Sequence, residues 1–448
     1  MTEGEFFDRL SGARSLSEVN AVVDDFLASH VGDCAWSPIG GRENNRGTIE
    51  VSSDPGRSAV ERLTNGIDAI LEAQFEAHTG IPDCRSPKEA ARAWLNVPEG
   101  GLSEMTPTQR RALAQQVTVK ILSGEGRDSR ILQIRDHGIG VPPESMPSTI
   151  LSLNESNKIQ KHYVAGAYGQ GGSSSFAPSK WTLIASRHDG APTVGFTIVR
   201  YQDLPPETYK MGRYVYLTLN GRVLESERPL ESFAPGTLVT HFGYDLTPYP
   251  SPVGPNSFYG LLNSVLFDPV LPVWLDDHEI HGYRRVIKGS RNALNGAVDE
   301  GDEQRRRTTL SHNMPMFFTS LGTDYGRIGV EYWVLQRPDR ENKRPSAAFV
   351  NPSKPIVLTI NGQNHAELSQ ILIRRNAELP YLTQRLICHI NCDNMSAVAK
   401  RALFASTREE IRRGAVYDLV QQEVTRILRS DDELARLNHE ARDLGSTL

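Results

Sequence analysis

Cysteine is scarce in this sequence. Only Cys34, Cys84, Cys388 and Cys392 occur in 448 residues. Four scattered thiols cannot make a disulfide framework, so a reducing, cytoplasmic compartment is expected. Long apolar runs are also missing: no stretch approaches the ~18 residues that a membrane span needs. The opening MTEGEFFDRLSG has neither a basic n-region nor an apolar h-region, so no signal peptide is expected. An excess of positive charge is absent too. Lysine and arginine number 49 against 54 acids, a net charge of −5. That excludes a global pull toward nucleic acid and leaves only a local patch open. Metal ligands are sparse. Cys388, His389 and Cys392 cluster in CHINC, but the two further ligands of a zinc site are not found at sensible spacing. No internal repeat is visible.

What remains is an ordinary globular composition, 38% hydrophobic and 23% charged, in a chain long enough for two or three domains. Residues 1–34 read as a helical arm, with Phe6, Phe7, Leu10, Val19, Val22, Val23, Phe26 and Leu27 at helical spacing. A Gly- and Asn-rich loop with a short strand, TIEVS, precedes a helix over Ser58–His78. A polar, Pro-marked insertion fills residues 79–116. VTVKIL and ILQIR alternate as a hairpin that runs into DHGIG; STILSL reads as a short helix. Strands follow at KWTLIASR, TVGFTIVRY, YVYLTLN and TLVTHF. PYPSPVGP, Pro248–Pro255, marks a domain boundary. Beyond it lie strands around VWLDDHEIHGY, GRIGVEYWVLQ and PIVLTING, then mostly helix. The fold class is α/β, as two two-layer sandwiches and a helical tail.

One helix poses a question. In SAVERLTNGIDAILEAQF, the residues Val60, Leu63, Ile67, Ile70, Leu71 and Phe75 form an apolar face. Yet Gly66 sits mid-helix, at a cost of ~1 kcal/mol relative to Ala. Glu61, Asn65, Asp68 and Glu72 form a stripe without a Lys or Arg in it. A solvated face explains the stripe, and Ser58-x-x-Glu61 reads as a capping box. That is the default reading of the segment alone; a bound cation would reverse it, because carboxylate and amide oxygens suit Mg²⁺.

Two further motifs follow in order. Asp136-His-Gly138-Ile-Gly140 closes a strand, and Gly166-Ala-Tyr-Gly169-Gln170-Gly171-Gly172-Ser173 is a glycine run. Gly236-Thr237 then opens another strand. The glycine run is not a Walker A loop, since no Lys-Ser/Thr follows it. Nor is it a Rossmann turn, since no strand feeds it within a βαβ unit.

In this order and spacing the motifs resemble those of the GHKL ATPases, the family of gyrase, the heat-shock chaperone, histidine kinases and MutL. The resemblance covers about residues 35–245. It implies a Bergerat-type ATP-binding domain over residues 35–248, with ATP and Mg²⁺ as cofactors. Glu61 would be the general base acting on water, Asn65 the Mg²⁺ ligand, and Asp68 a wall of the nucleotide pocket. Asp136 would accept a hydrogen bond from the adenine amino group, Gly138 and Gly140 would pass close to the base, and Thr237 would hold a water there. Gly166, Gly169, Gln170, Gly171, Gly172 and Ser173 would belong to a lid over the phosphates. The Gly172-Ser173-Ser174-Ser175 run departs from the small apolar run usual there, as does the long insertion from the compact members.

The resemblance also implies a ribosomal-S5-like transducer over residues 249–410; after it a helical tail is expected over 411–448, with continuation into a further region left open. Lys354 would contact the γ-phosphate, with Lys343, Arg344 and Gln363 as rivals. ALFASTREE, with Arg408, is similar to the close of that domain in MutL- and MORC-like proteins. A kinase is not expected, for no phospho-acceptor histidine precedes the domain. The expected function is an ATP-gated homodimeric clamp or switch in a DNA-processing, restriction or phage-defence system, with DNA and a partner nuclease as candidate partners. Alternatives are a chaperone-like ATPase and a non-hydrolysing nucleotide sensor. Phe6, Phe7 and Leu10 are expected to form a docking stripe on a partner chain.

Overall fold

A computed structural model describes residues 1–50, 54–78, 84–124, 126–153, 161–165, 175–207, 211–251, 254, 256–280, 282–297, 299, 310–338, 343–404 and 411–445. The chain is mixed α/β and divides into two compact units. One comprises Met1–Pro252, Asn256–Tyr259 and Val270–Ile287; the other comprises Val253–Pro255, Gly260–Pro269 and Lys288–Leu448. No helix among the described residues is long and apolar enough to cross a membrane.

In chain order the elements begin α1 (Glu3–Gly12), α2 (Leu16–Ser29), β1 (Cys34–Pro38), α3 (Arg46–Ile49), α4 (Pro55–Ala77), α5 (Pro87–Leu95) and α6 (Pro107–Ala114). Next come β2 (Val117–Leu122), β3 (Arg130–Asp136), β4 (Trp181–Arg187), β5 (Thr193–Gln202), β6 (Arg213–Leu219), β7 (Leu224–Glu227) and β8 (Gly236–Tyr244). Then follow α7 (Phe258–Val265), β9 (Val273–Asp277), β10 (Tyr283–Ile287) and α8 (Ser290–Leu294). The chain closes with β11 (Leu310–Ser320), β12 (Arg327–Leu335), β13 (Ile356–Ile360), β14 (Gln363–Leu368), β15 (Leu386–Asn391), α9 (Ala397–Leu403), α10 (Ala415–Arg429) and α11 (Asp432–Gly445).

The first unit is built on a sheet of order β1-β6-β5-β4-β8-β3-β2-β9-β10, with β7 beside β5. Side-chain alternation sorts its two faces. Trp181, Leu183, Ala185 and Phe242 point one way, under α1 and α2. Ile184 and Val239 point the other way, in a core with Met146, Leu153 and Phe176. Phe6 stacks on Phe26 at 4.0 Å, and Phe7 meets Phe196 at 5.1 Å. Phe6, Phe7 and Leu10 are therefore buried in their own unit, and the exposed docking stripe expected of them is not there. Hydrophobic gain explains this: each fully buried Phe or Leu contributes ~1.5–3 kcal/mol, which this sheet face supplies.

Other local readings are corrected. Strands β9 and β10, expected beyond the proline boundary in a second domain, extend the first sheet, β9 pairing in parallel with β2. Thr48 and Ile49, expected in a strand, lie in α3. Asn45 explains that, because its side chain accepts from the N–H of Tyr214 and donates to its carbonyl, taking the place a strand would occupy. Ser148–Leu153 forms turns rather than a helix. There Thr149 and Ser152 hydroxyls donate to the carbonyls of Ser145 and Thr149 and compete with helical pairing.

The second unit is a five-stranded sheet of order β11-β12-β15-β13-β14. Ile328, Val330 and Tyr332 of β12 share a core with Val420, Val424 and Leu428 of α10 and Leu434 of α11. Residues of the C-terminal helical segment thus complete this core.

Candidate functional site

Helix α4 begins earlier than Ser58. Asp54 is its N-cap: Oδ1 accepts from the N–H groups of Gly56, at 2.7 Å, and Arg57, at 3.1 Å, and Pro55 takes the first turn. Ser58 is then a buried interior residue, so the capping-box role for Glu61 is removed. Asp-Pro at residues 54–55 was the better start signal, since Pro needs no partner for its missing N–H.

Gly66 also finds its reason. A Cβ there would lie 3.2 Å from Cβ of Asp136 and 3.3 Å from Cγ1 of Val117. The helix crosses the end of β3 so closely that no side chain fits comfortably. Two residues on, a Cβ on Gly138 would lie 2.5 Å from the carbonyl carbon of Ala69. The N–H of Ile139 donates to that same residue's carbonyl oxygen at 3.0 Å. The DHGIG turn is thereby pressed onto α4, with Gly140 turning at φ 67°.

Asp136 is 7% exposed. Its Oδ1 accepts from the N–H of Gly138 at 3.0 Å and of Thr237 at 3.2 Å. Among the described residues Oδ2 takes no hydrogen bond. Burial pushes the carboxyl up to about 6, against the opposing pull of Gly138 and Arg135. Thr237 is fixed in turn by Ser186: the two hydroxyl oxygens are 2.9 Å apart, and Ser186 Oγ accepts from the N–H of Val141 at 2.8 Å. Ser186 is fully buried, and no motif in the sequence marks it.

The stripe of α4 is not a solvated face. Asp68 is 1% exposed, and its Oδ1 accepts from the N–H of Ala165 at 2.6 Å. Glu61 and Asn65 are half-buried. The cation missing from the helix comes from elsewhere for one member: Lys161 Nζ lies 3.2 Å from Glu72 Oε2. Tyr163, two residues on, stacks on Phe75 at 4.7 Å and meets Trp94 edge-on at 5.5 Å. Trp94 belongs to α5, so the insertion at residues 79–116 supplies a wall for the segment 161–165. Trp94 and Tyr163 were not singled out in the sequence, because their pairing joins segments about 70 residues apart.

The structure therefore brings together α4 with Asp68, the β3 end with Asp136, Gly138 and Gly140, and the β8 start with Thr237. Gly166, Gly169, Gln170, Gly171, Gly172, Ser173 and Ser174 lie outside the described residues, as does Arg408. Lys354 is exposed in the loop before β13, in the second unit; Lys343 and Arg344 are exposed as well, and Gln363 is buried at the β13–β14 turn. His389 spends both ring nitrogens inside the second unit, on Thr359 at 2.7 Å and Glu331 at 2.6 Å. Burial pushes the Cys388 and Cys392 thiols up. Among the described residues no group of three or more His, Cys, Asp or Glu is placed to hold a metal ion.

A scan against protein-family models and a search of curated proteins find no match to this chain.

Proposed function

We propose that the first unit is a Mg²⁺-dependent ATPase of the GHKL type, with a Bergerat-type nucleotide site on the polar stripe of α4. The observation that carries this reading is Asp136. It is a buried carboxylate with one oxygen fixed by two backbone N–H groups and the other without a described partner, set against a helix that gives up a side chain at Gly66 to let it approach. Such an arrangement costs stability when the site is empty and suits a hydrogen-bond donor such as the adenine amino group. Thr237, held by Ser186, lines the same end of the site.

Asn65 suits Mg²⁺ because it carries an amide oxygen, and the residue is half-buried on the same stripe as Glu61 and Asp68. Bound there, the ion would supply charge neutralisation for the phosphates. Glu61 orients a water and takes its proton as the water oxygen bonds to the γ-phosphorus and the bond to the β-phosphate oxygen breaks. The glycine run of residues 166–172 is, in sequence, of the kind whose backbone N–H groups cradle phosphates. On this reading the second unit is an S5-like transducer. ATP binding then closes a homodimeric clamp or switch acting on DNA or a partner nuclease in restriction or phage defence.

Glu61→Ala tests the catalytic part. Hydrolysis should fall to background while Mg·ATP still binds with an affinity near that of the unaltered chain. Turnover at the unaltered rate would remove Glu61 from the chemistry.

A further inference from the structure

Ser186, fully buried near the end of β4, does more than steady Thr237. The two are paired residues of β4 and β8, on the face that Ile184 and Val239 continue. Three groups meet at Ser186 Oγ. The N–H of Val141 donates to it at 2.8 Å, the carbonyl oxygen of Gly236 lies 3.3 Å away, and the Thr237 hydroxyl oxygen lies 2.9 Å away.

The backbone around this point has little freedom. A Cβ on Gly140 would collide with the carbonyl oxygen of Arg187, and a Cβ on Gly236 with that of Asp136. The N–H of Asp189 donates to the Ile139 carbonyl at 3.2 Å, a second tie between the turn after Asp136 and the end of β4. Arg187 is anchored in turn: its Nε donates to the Ala191 carbonyl at 2.8 Å and its Nη1 to that of Arg228 at 2.9 Å. Main chain, and not a movable side chain, thus delivers the Val141 N–H to Ser186.

A hydroxyl has one proton to give and two lone pairs to fill. The Val141 N–H can only donate, so it fills one lone pair. The Gly236 carbonyl can only accept, so it takes the Ser186 proton. Thr237 then donates into the second lone pair. This arrangement uses every capacity of a fully buried oxygen. The reverse one, with Ser186 donating to Thr237, keeps the 2.9 Å bond but gives up the bond to Gly236 and leaves a Ser186 lone pair empty. Unfilled capacity on a buried polar group costs free energy, so the first arrangement prevails.

The consequence falls on Thr237, which is half-buried. Among the described residues its hydroxyl has no partner besides Ser186. With its proton committed inward, that hydroxyl has only lone pairs to offer a ligand. The Asp136 carboxylate, which accepts the Thr237 N–H at 3.2 Å, is an acceptor as well when ionised. The two side chains therefore present acceptors only.

We propose that Ser186 is a positioning residue for base recognition: by taking the Thr237 proton it keeps that hydroxyl an acceptor, and so favours a purine with an amino group at position 6 over one with an oxo group there. This rests on the nucleotide reading of the site. An amino group brings two protons to the acceptors, directly or through a water. An oxo group brings one more acceptor. Buried as it is, Ser186 acts through Thr237 and touches no nucleotide.

Calorimetry with ATP and with inosine triphosphate, its 6-oxo counterpart, each with Mg²⁺, tests this in four chains. The unaltered chain should bind ATP at least tenfold more tightly than inosine triphosphate. Ser186→Ala releases the Thr237 proton, so that ratio should fall at least fivefold, mainly through tighter binding of inosine triphosphate. Thr237→Val removes the acceptor at nearly constant shape and should also lower the ratio. Adding Ser186→Ala to Thr237→Val should then change the ratio by less than twofold. A merely structural Ser186 would weaken both nucleotides alike; an unchanged ratio in Ser186→Ala, or an effect of Ser186→Ala that survives in Thr237→Val, overturns the proposal. If Ser186→Ala does not fold, the sign in Thr237→Val carries the test, because a ratio that rises there shows Thr237 to be a donor and overturns the proposal. If the unaltered chain binds neither nucleotide, the nucleotide reading fails and this proposal with it. If it binds both equally in all four chains, nucleotide binding stands and this proposal alone fails.

Discussion

Both units bury charge, but they treat it differently. In the second unit Glu331 is 2% exposed, and Arg291 and His389 both meet it, Arg291 Nη2 donating at 3.1 Å. Arg291 also faces Asp268, itself bonded by Asn292 at 3.2 Å, and Lys288 is paired with Asp299 at 2.6 Å. Burial alone would raise the Glu331 carboxyl, yet His389 and Arg291 hold it below its usual value. In the first unit, Asp136 is buried too and is pushed up to about 6, because two backbone N–H groups and Arg135 do not offset its burial. Arg62, also buried, likewise has the Ser175 hydroxyl and the Phe176 ring beside its guanidinium where an anion would be expected. Satisfied charge reads as architecture. Buried charge left partly unsatisfied reads as a place kept ready for something else.

The comparison breaks first at Glu331. Glu331→Gln leaves Arg291 and His389 facing an uncharged amide, so the second unit should lose about 3–5 kcal/mol in urea unfolding, with nucleotide affinity unchanged. A loss under ~1 kcal/mol would mean that the network is decoration. Acid should act in the same sense: the carboxyl is lowered in the folded state, so its contribution is present above the unfolded value and fades as pH falls through the folded one.

Asp136 should respond with the opposite sign. Its folded pKa is raised from 3.8 to about 6. The folded protein therefore gains from its protonation below the unfolded value and loses that gain as pH rises through about 6. Asp136→Asn should stabilise the ligand-free protein at pH 7 by up to about 3 kcal/mol, two units at 1.36 kcal/mol each, with no gain at pH values below about 3.8. The same change should weaken ATP binding at least tenfold, the scale of a buried bond to a charged group. Thermal unfolding at the two pH values checks the first part. A destabilised Asp136→Asn at pH 7 would place this carboxylate with the structural ones.

The smallest effect is expected at Phe75, which is 47% exposed. Phe75→Ala removes the stack on Tyr163 and should cost the fold only ~0.5–1.5 kcal/mol. Since Tyr163 leads to Ala165 and Asp68, nucleotide affinity should still fall several-fold. Unchanged affinity would detach the insertion from the site.

Much of the first sheet was legible, because β2, β3, β4, β5, β6 and β8 carry alternation or turn signals of their own. The site motifs were legible as well, in order and spacing. What was not legible depends on contacts far apart in sequence. Gly66 looks like a helix defect until Asp136 arrives beside it. Lys161 looks like a loop lysine until Glu72 is seen next to it. Ser186 carries no local signal, being one polar residue in a buried strand. Two misses were avoidable. Asp54-Pro55 is a stronger helix start than Ser58, and Asn361-Gly362, at φ 50° and 78°, is the turn type that announces the β13–β14 hairpin. The placement of β9 and β10 was harder, since a proline-rich stretch marks a crossing of the chain without saying on which side the next strands pair.

The most direct measurement is calorimetric titration of the unaltered chain and of Asp136→Asn with ATP and with GTP, each with Mg²⁺. The account predicts ATP binding by the unaltered chain, at least tenfold weaker GTP binding, and loss of that preference in Asp136→Asn. No heat of ATP binding at millimolar nucleotide, or equal affinity for ATP and GTP, would contradict the claim that the polar stripe of α4 with Asp136 is an adenine nucleotide site.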